Sequence, residues 1–202
     1  MTLTEDRSVP AGAAISEARR AMISSQLRTS GVNEPWVLEA MAGLARENYV
    51  PATMRDAAYI DRAIPLGDGR FLAAPLVHAR MLAEAEPAAT DKVLLVGDAD
   101  GYLAALLRPL AGSLDTVATA DAATAGEGGY SLVVVDGAAE ILPEALTARL
   151  VDGGRVVTGT VVRGVTRLAI GTKAAGTVSL LPLAEMGIPV LPEFAAPKRW
   201  SF

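Results

Sequence analysis

Lys92-Val93-Leu94-Leu95-Val96 runs apolar and branched into Gly97, crosses Asp98-Ala99-Asp100, and meets a second glycine at Gly101. Tyr102 and a series of good helix formers then lead to Pro109. A buried parallel strand that turns into a helix has this form, and in nucleotide-binding folds the turn lies against the ligand. Glycines serve such a turn by allowing unusual dihedrals and by letting the backbone come close to the ligand. The stretch therefore predicts a parallel α/β sheet. A ligand is a separate matter, because a nucleotide-type turn carries a third glycine where this chain has Ala99. A ligand-binding turn and a bare strand-to-helix turn both stay open on these residues alone.

The flanking patterns complete an open sheet. Before the turn, Ala21, Met22, Ser25 and Leu27 recur at helical spacing from Ser16 until Gly31 closes the segment. Asn33 and Pro35 start a second helix, predicted to run to Tyr49-Val50-Pro51. A short helical piece is expected over 54–59 and a short strand near Ile64, with Asp68-Gly69 as a turn. Pro75 then opens a helix through Glu86. After the glycine turn, strands are predicted over 116–120, 130–136, 155–162, 165–171 and 177–183, with a helix over 143–150 and the last two strands antiparallel. A Pro-rich tail follows, with Trp200 pinning it. The expected organisation is a flexible arm over 1–14, a helical extension over 15–88, and an α/β domain over 89–202 with a Rossmann-like, mostly parallel sheet.

Composition narrows the chemistry. The chain has no cysteine, which removes disulfides, thiolate metal sites and cysteine nucleophiles. His78 is the only histidine, so a Ser-His-Asp triad would have to use it and a histidine-rich metal site is impossible. A net charge of -5 without a clustered basic run argues against nucleic acid as a partner. The first ten residues lack an apolar signal region, and no later segment is apolar for long enough to span a bilayer, so a cytoplasmic protein is expected.

With these residues in view, the chain resembles the protein-L-isoaspartate O-methyltransferase family. The resemblance runs through Met22-Ile23-Ser24-Ser25-Gln26-Leu27, Arg46-Glu47-Asn48-Tyr49-Val50-Pro51, Ala58-Tyr59-Ile60-Asp61 and Ile64-Pro65-Leu66-Gly67-Asp68-Gly69. It continues through Pro75 with Ala79-Arg80-Met81-Leu82, the glycine turn, Val135-Asp136-Gly137-Ala138, and Asp152-Gly153-Gly154-Arg155. Order and spacing carry it, since no single piece is specific. It implies an S-adenosylmethionine-dependent methyltransferase fold, with isoaspartyl carboxylates of damaged proteins or peptides as substrate and protein repair as the role. By that resemblance Gly97, Asp98, Gly101, Asp121 and Asp136 are the candidate cofactor-binding residues, and Asp61 and Arg70 the candidates on the substrate side.

The same resemblance exposes four departures. The loop that in the family carries two hydroxyl residues before Gln-Pro reads Phe71, Ala73 and Ala74-Pro75, whose side chains offer a carboxylate no donor. The acidic residue before the turn is Leu95, and the central glycine is Ala99 with Asp100 beside it. Between Gly101 and Asp136 one strand-plus-helix step, roughly 30 residues, is missing. The strand expected near Thr116 then matches the family's third, unless the sheet closes the gap and sets it beside the strand at Lys92. In that case Asp121 falls at the spacing of a ribose-binding acid, about 20 residues on.

Two functions therefore stand: a carboxyl methyltransferase with an altered site, and a catalytically inactive pseudoenzyme that uses the fold to bind a protein partner. Among single residues, Asp61 is expected to bond nearby amides, His78 to sit at the surface or an interface, and Arg19 and Arg20 to lie on a solvated face. Trp36 is expected to anchor packing, and a homodimer through Met22, Leu27, Trp36 and Met41 is the expected self-association.

Overall fold

The computed structural model describes residues 11–124 and 126–197. Most of the expected arm and Trp200 thus lie outside the described residues. Within them, helix α1 (Ala11–Ala21) begins inside the segment expected to be an arm. It widens into a π turn (Met22–Leu27), tightens into a 3-10 turn and ends at Gly31, whose φ of 86° is the left-handed cap that glycine adopts at least cost. Helix α2 (Pro35–Gly43) stops well before Tyr49, because Leu44 is extended and Arg46–Tyr49 forms a separate 3-10 turn. Asp68 and Gly69, both with positive φ, close a hairpin of β1 (Ile64–Gly67) and β2 (Arg70–Leu72). The Asp-Gly signal was visible in the sequence, but β2, only three residues long, was not.

Helix α3 (Pro75–Ala85) leads into β3 (Lys92–Val96), α4 (Tyr102–Leu107) and β4 (Ser113–Val117). Then come β5 (Tyr130–Ala139), α5 (Glu144–Ala148), β6 (Leu150–Val162), β7 (Val165–Ala174) and β8 (Thr177–Glu185). The sheet order is β4-β3-β5-β6-β7-β8. Its first four strands are parallel, and β7 and β8 run antiparallel, as the turn-linked late strands predicted.

The shortened region closes up. Strand β4 lies three residues earlier than expected and pairs directly with β3, Leu95 opposite Thr116 and Val96 opposite Val117. Only β4 and the 3-10 turn Thr119–Asp121 lie between α4 and β5 among the described residues.

Both faces of the sheet are covered, which explains why its central strands are continuously apolar. Val93 and Leu95 of β3, with Leu132 and Val134 of β5, face a core built with α3, α4 and the N-terminal helices. Leu94, Val96, Val133 and Val135 face a second cluster closed by Leu146, Ala122 and Phe194. Phe194 arrives from the tail, where Leu191 N–H donates to Ala138 O and Ala138 N–H to Pro189 O. Within the described residues the tail is pinned through Phe194 and Leu191. Met22, Leu27 and Met41 are fully buried in the protein's own core, so they offer no face to a second copy, and Trp36 packs partly buried against them. Arg19 is also drawn in, pairing with Glu47 at 3.0 Å and bonding Tyr59, while Arg20 stays exposed. No helix among the described residues is long and apolar enough to cross a membrane.

At the amino ends of the strands, Asp91 ties three elements together. Arg155 grips its carboxylate with both terminal nitrogens, at 2.7 and 3.2 Å, while Ser131 Oγ and the Ala88 amide also donate to it. The remaining Arg155 donors take the carbonyls of Ala85 and Glu86 at the end of α3. The Arg155 hydrogen bonds hold the Asp91 carboxyl at about 2, below its ordinary 3.8. A carboxyl lowered on folding stabilises the fold above its unfolded value and loses that contribution as pH falls toward the folded one. We predict that wild type loses about 2 kcal/mol from this group between pH 4 and 2 and that Asp91→Asn does not. Urea denaturation of both proteins across that range checks the difference.

Candidate functional site

In open α/β sheets a ligand sits at the carboxyl ends of the strands, beside the point where chain order reverses. Here that point lies between β4, β3 and β5, at the turn Gly97–Gly101. The turn is built largely from contacts with itself. Asp98 Oδ1 accepts from the Asp100 amide at 3.0 Å, the Gly101 amide donates to Asp98 O, and the Gly97 amide donates to Val117 O. Contrary to expectation, neither glycine has a positive φ. Close packing explains them instead. A Cβ on Gly101 would lie 3.0 Å from Asp98 O, and one on Gly97 would lie 3.2 Å from Asp136 Cβ.

The candidate residues are partly gathered there. Asp136 ends the apolar run of β5 beside Gly97, with its side chain 18% exposed. Asp98 pairs with Arg70 of β2 at 3.4 Å, and this exposed pair joins the hairpin to the turn. Exposure of both partners keeps such a pair weak. Asp121 stands apart: strand β4 ends at Val117, and Asp121 lies exposed at the end of the following 3-10 turn. Asp61 accepts from the Leu76 amide at 3.2 Å and so satisfies an otherwise unpaired donor of the first turn of α3. On the hairpin side, Phe71 is exposed, whereas Ala73 and Ala74 are buried. Leu95 and its neighbours in β3 are core.

Sequence reasoning missed what lies beneath this edge. His78, expected at the surface or an interface, is fully buried between Arg46 and Asp136. Its Nε2 is 3.0 Å from Asp136 Oδ1, and its Nδ1 is 3.3 Å from Arg46 Nη1. Arg46 is itself fully buried, donating through Nε to Ala58 O at 2.7 Å and through Nη2 to Ala73 O. Its guanidinium lies over the Tyr102 ring at 4.9 Å, a cation–π contact in a dry setting. Tyr49 meets the same ring edge-on at 5.4 Å. Burial pushes the Arg46 guanidinium down to about 10, still charged at neutral pH, and raises the Tyr102 hydroxyl. That hydroxyl is buried with no hydrogen-bond partner among the described residues.

The one available signal was an only histidine among Val77, Ala79, Met81 and Leu82 on a helix whose neighbours are nearly all apolar. Among the described residues no group of acidic residues and His78 could hold a metal ion.

Removing the Arg46 side chain leaves two buried carbonyls and the His78 ring without their donor. We predict that Arg46→Met costs about 3–5 kcal/mol of folding stability, as breaking a buried charged network does. Arg46→Lys should recover part of it, since one ammonium cannot reach all three acceptors in a fork. Denaturant melts of the three proteins measure this.

Comparison with known proteins gives one consistent answer. The family model for protein-L-isoaspartate(D-aspartate) O-methyltransferase matches residues 17–124. A protein-L-isoaspartate O-methyltransferase of Methanoculleus marisnigri is 30% identical over 203 residues, covering 87% of this chain and 92% of that protein. One from Koribacter versatilis is 35% identical over 172 residues, covering 72% of this chain and 77% of the relative. Among solved structures, a Plasmodium falciparum protein described as such a methyltransferase, in complex with S-adenosyl-L-homocysteine, superposes with a TM-score of 0.69. It is 17% identical and covers 87% of this chain and 98% of its own, a likeness of fold. The family match and these relatives show that the chain belongs to the protein-L-isoaspartate O-methyltransferase family.

Proposed function

We propose that this chain is a non-catalytic member of the family, a pseudoenzyme whose maintained sheet engages a protein partner. The family's cofactor, S-adenosylmethionine, brings an α-carboxylate, an α-ammonium, a sulfonium and ribose hydroxyls to the carboxyl edge. The acceptor beside Gly97, Asp136, suits its cationic half. For the anionic half, part of the donor set at the turn is already engaged. Three amides of the turn are already spent, and Arg70 is paired with Asp98. Asp98 and Asp100 would face the ligand's carboxylate as like charges. The residues therefore do not fit the whole group.

The single observation carrying this reading is the self-satisfied turn, in which Asp98 takes the amide and the arginine that a ligand carboxylate would need. The substrate side agrees. Phe71, Ala73 and Ala74 supply no hydroxyl for an isoaspartyl carboxylate, and the Ala73 carbonyl is committed to Arg46. The core stands complete, with the apolar runs of β3 and β5 fully buried on both faces of the sheet. An acidic, cysteine-free chain of this kind suits the cytoplasm.

One observation favours the second reading, an active S-adenosylmethionine-dependent methyltransferase that acts on isoaspartyl carboxylates in protein repair. Strand β4 lies directly beside β3, so Asp121 follows the strand that would carry a ribose-binding acid. In that reading Gly97, Asp98, Gly101, Asp121 and Asp136 line the cofactor, with Arg70 and Asp61 on the substrate side.

Calorimetric titration of the full chain with S-adenosylmethionine and S-adenosylhomocysteine separates the two. The non-catalytic reading predicts no heat and no thermal shift at millimolar ligand, and no methyl incorporation into an isoaspartyl peptide. Micromolar binding that is lost in Asp121→Ala, with methylation of the peptide, would establish the second reading instead.

A further inference from the structure

Arginine has only donors, and a histidine ring nitrogen beside it can only accept. We infer that Arg46 fixes His78 in a single tautomer, with the proton on Nε2, and that the pair forms a directed relay holding Asp136 over Gly97. The donor order follows from the contacts: Arg46 Nη1–H to His78 Nδ1 at 3.3 Å, then His78 Nε2–H to Asp136 Oδ1 at 3.0 Å. The reverse tautomer would set two N–H groups against each other at Nδ1 and leave Nε2 and the Asp136 carboxylate as two acceptors in contact. In a fully buried setting that arrangement is costly, because neither ring nitrogen can turn to water instead.

The remaining surroundings of His78 do not compete for its protons. The Tyr102 ring lies 5.7 Å away, tilted, and its hydroxyl has no partner. The Ala58 and Ala73 carbonyls are taken by Arg46.

The relay makes Arg46 and His78 positioning residues for Asp136. With Oδ1 taken by His78, Asp136 turns Oδ2 toward Gly97, where a Cβ would lie 3.9 Å from it. The carboxylate therefore meets anything arriving at that edge as an acceptor in a fixed orientation. The relay also links three segments distant in sequence, so the approach of Asp136 to the turn depends on the docking of the Arg46 segment. The inference is independent of whether a cofactor binds, because it concerns the free protein.

The only histidine in the chain makes the test direct. Long-range proton–nitrogen NMR of the 15N-labelled full chain, without ligand, reads which ring nitrogen carries the proton. The relay predicts one set of imidazole signals with Nε2 protonated and Nδ1 bare. A protonated Nδ1, or averaged signals from two tautomers, would overturn it. Asp136→Ala, at the sheet edge, should keep the tautomer but speed Nε2–H exchange with water by tenfold or more. Unchanged exchange would remove Asp136 from the relay.

Discussion

A guanidinium with no access to water has to find its partners inside the protein, and Arg46 draws them from four directions. It holds the carbonyl of Ala58, the carbonyl of Ala73, the ring of His78 and the face of Tyr102. These belong to the N-terminal segment, the loop after the hairpin, α3 and α4. The loop that closes the hairpin onto the sheet and the first helix after the glycine turn are therefore fixed by one side chain. Its charge is balanced through His78 by Asp136, at the edge where a ligand of this fold would approach. The N-terminal helices are thus part of the scaffold of that edge, and their core is continuous with β3 and β5.

What the sequence revealed and what it hid divide along a physical line. Periodic and covalent signals carried the fold. Val93 to Val96 and Leu132 to Val135 are apolar at every position because both faces are covered, and that pattern needs no knowledge of partners. Gly31, Pro35, Pro75 and Asp68-Gly69 mark termini and turns through their own backbone preferences. Boundaries failed where tertiary contacts decide them. The second helix ends at Gly43 because the chain must turn to bring Arg46 inward, and β4 begins at Ser113 because it registers on Lys92.

The site was less accessible for the same reason. Asp98, Arg70 and Asp136 could be selected by family resemblance, but nothing local says that Asp98 bonds its own turn or that Arg70 is its partner. Nothing local in the sequence of α3 says what flanks His78 in space. Its burial becomes intelligible only once Arg46 and Asp136, far away in sequence, are seen on either side of it. The two glycines are a related lesson. Their presence suggested a cradle for a ligand, whereas the atoms nearest to them belong to Asp136 and Asp98. A glycine records close approach without recording what approaches.

At the carboxyl edge, Asp98 engages the Asp100 amide and Arg70, two donors that the carboxylate of the family's cofactor would otherwise use. Hydrogen exchange of the backbone amides over residues 97–102, followed with and without millimolar S-adenosylhomocysteine, tests that claim at the atoms concerned. We predict identical exchange in the two conditions, with the Asp100 and Gly101 amides already protected in the free protein. Slowed exchange confined to this turn on adding the ligand would contradict it, and would mean that the Asp98 contacts give way to a bound cofactor.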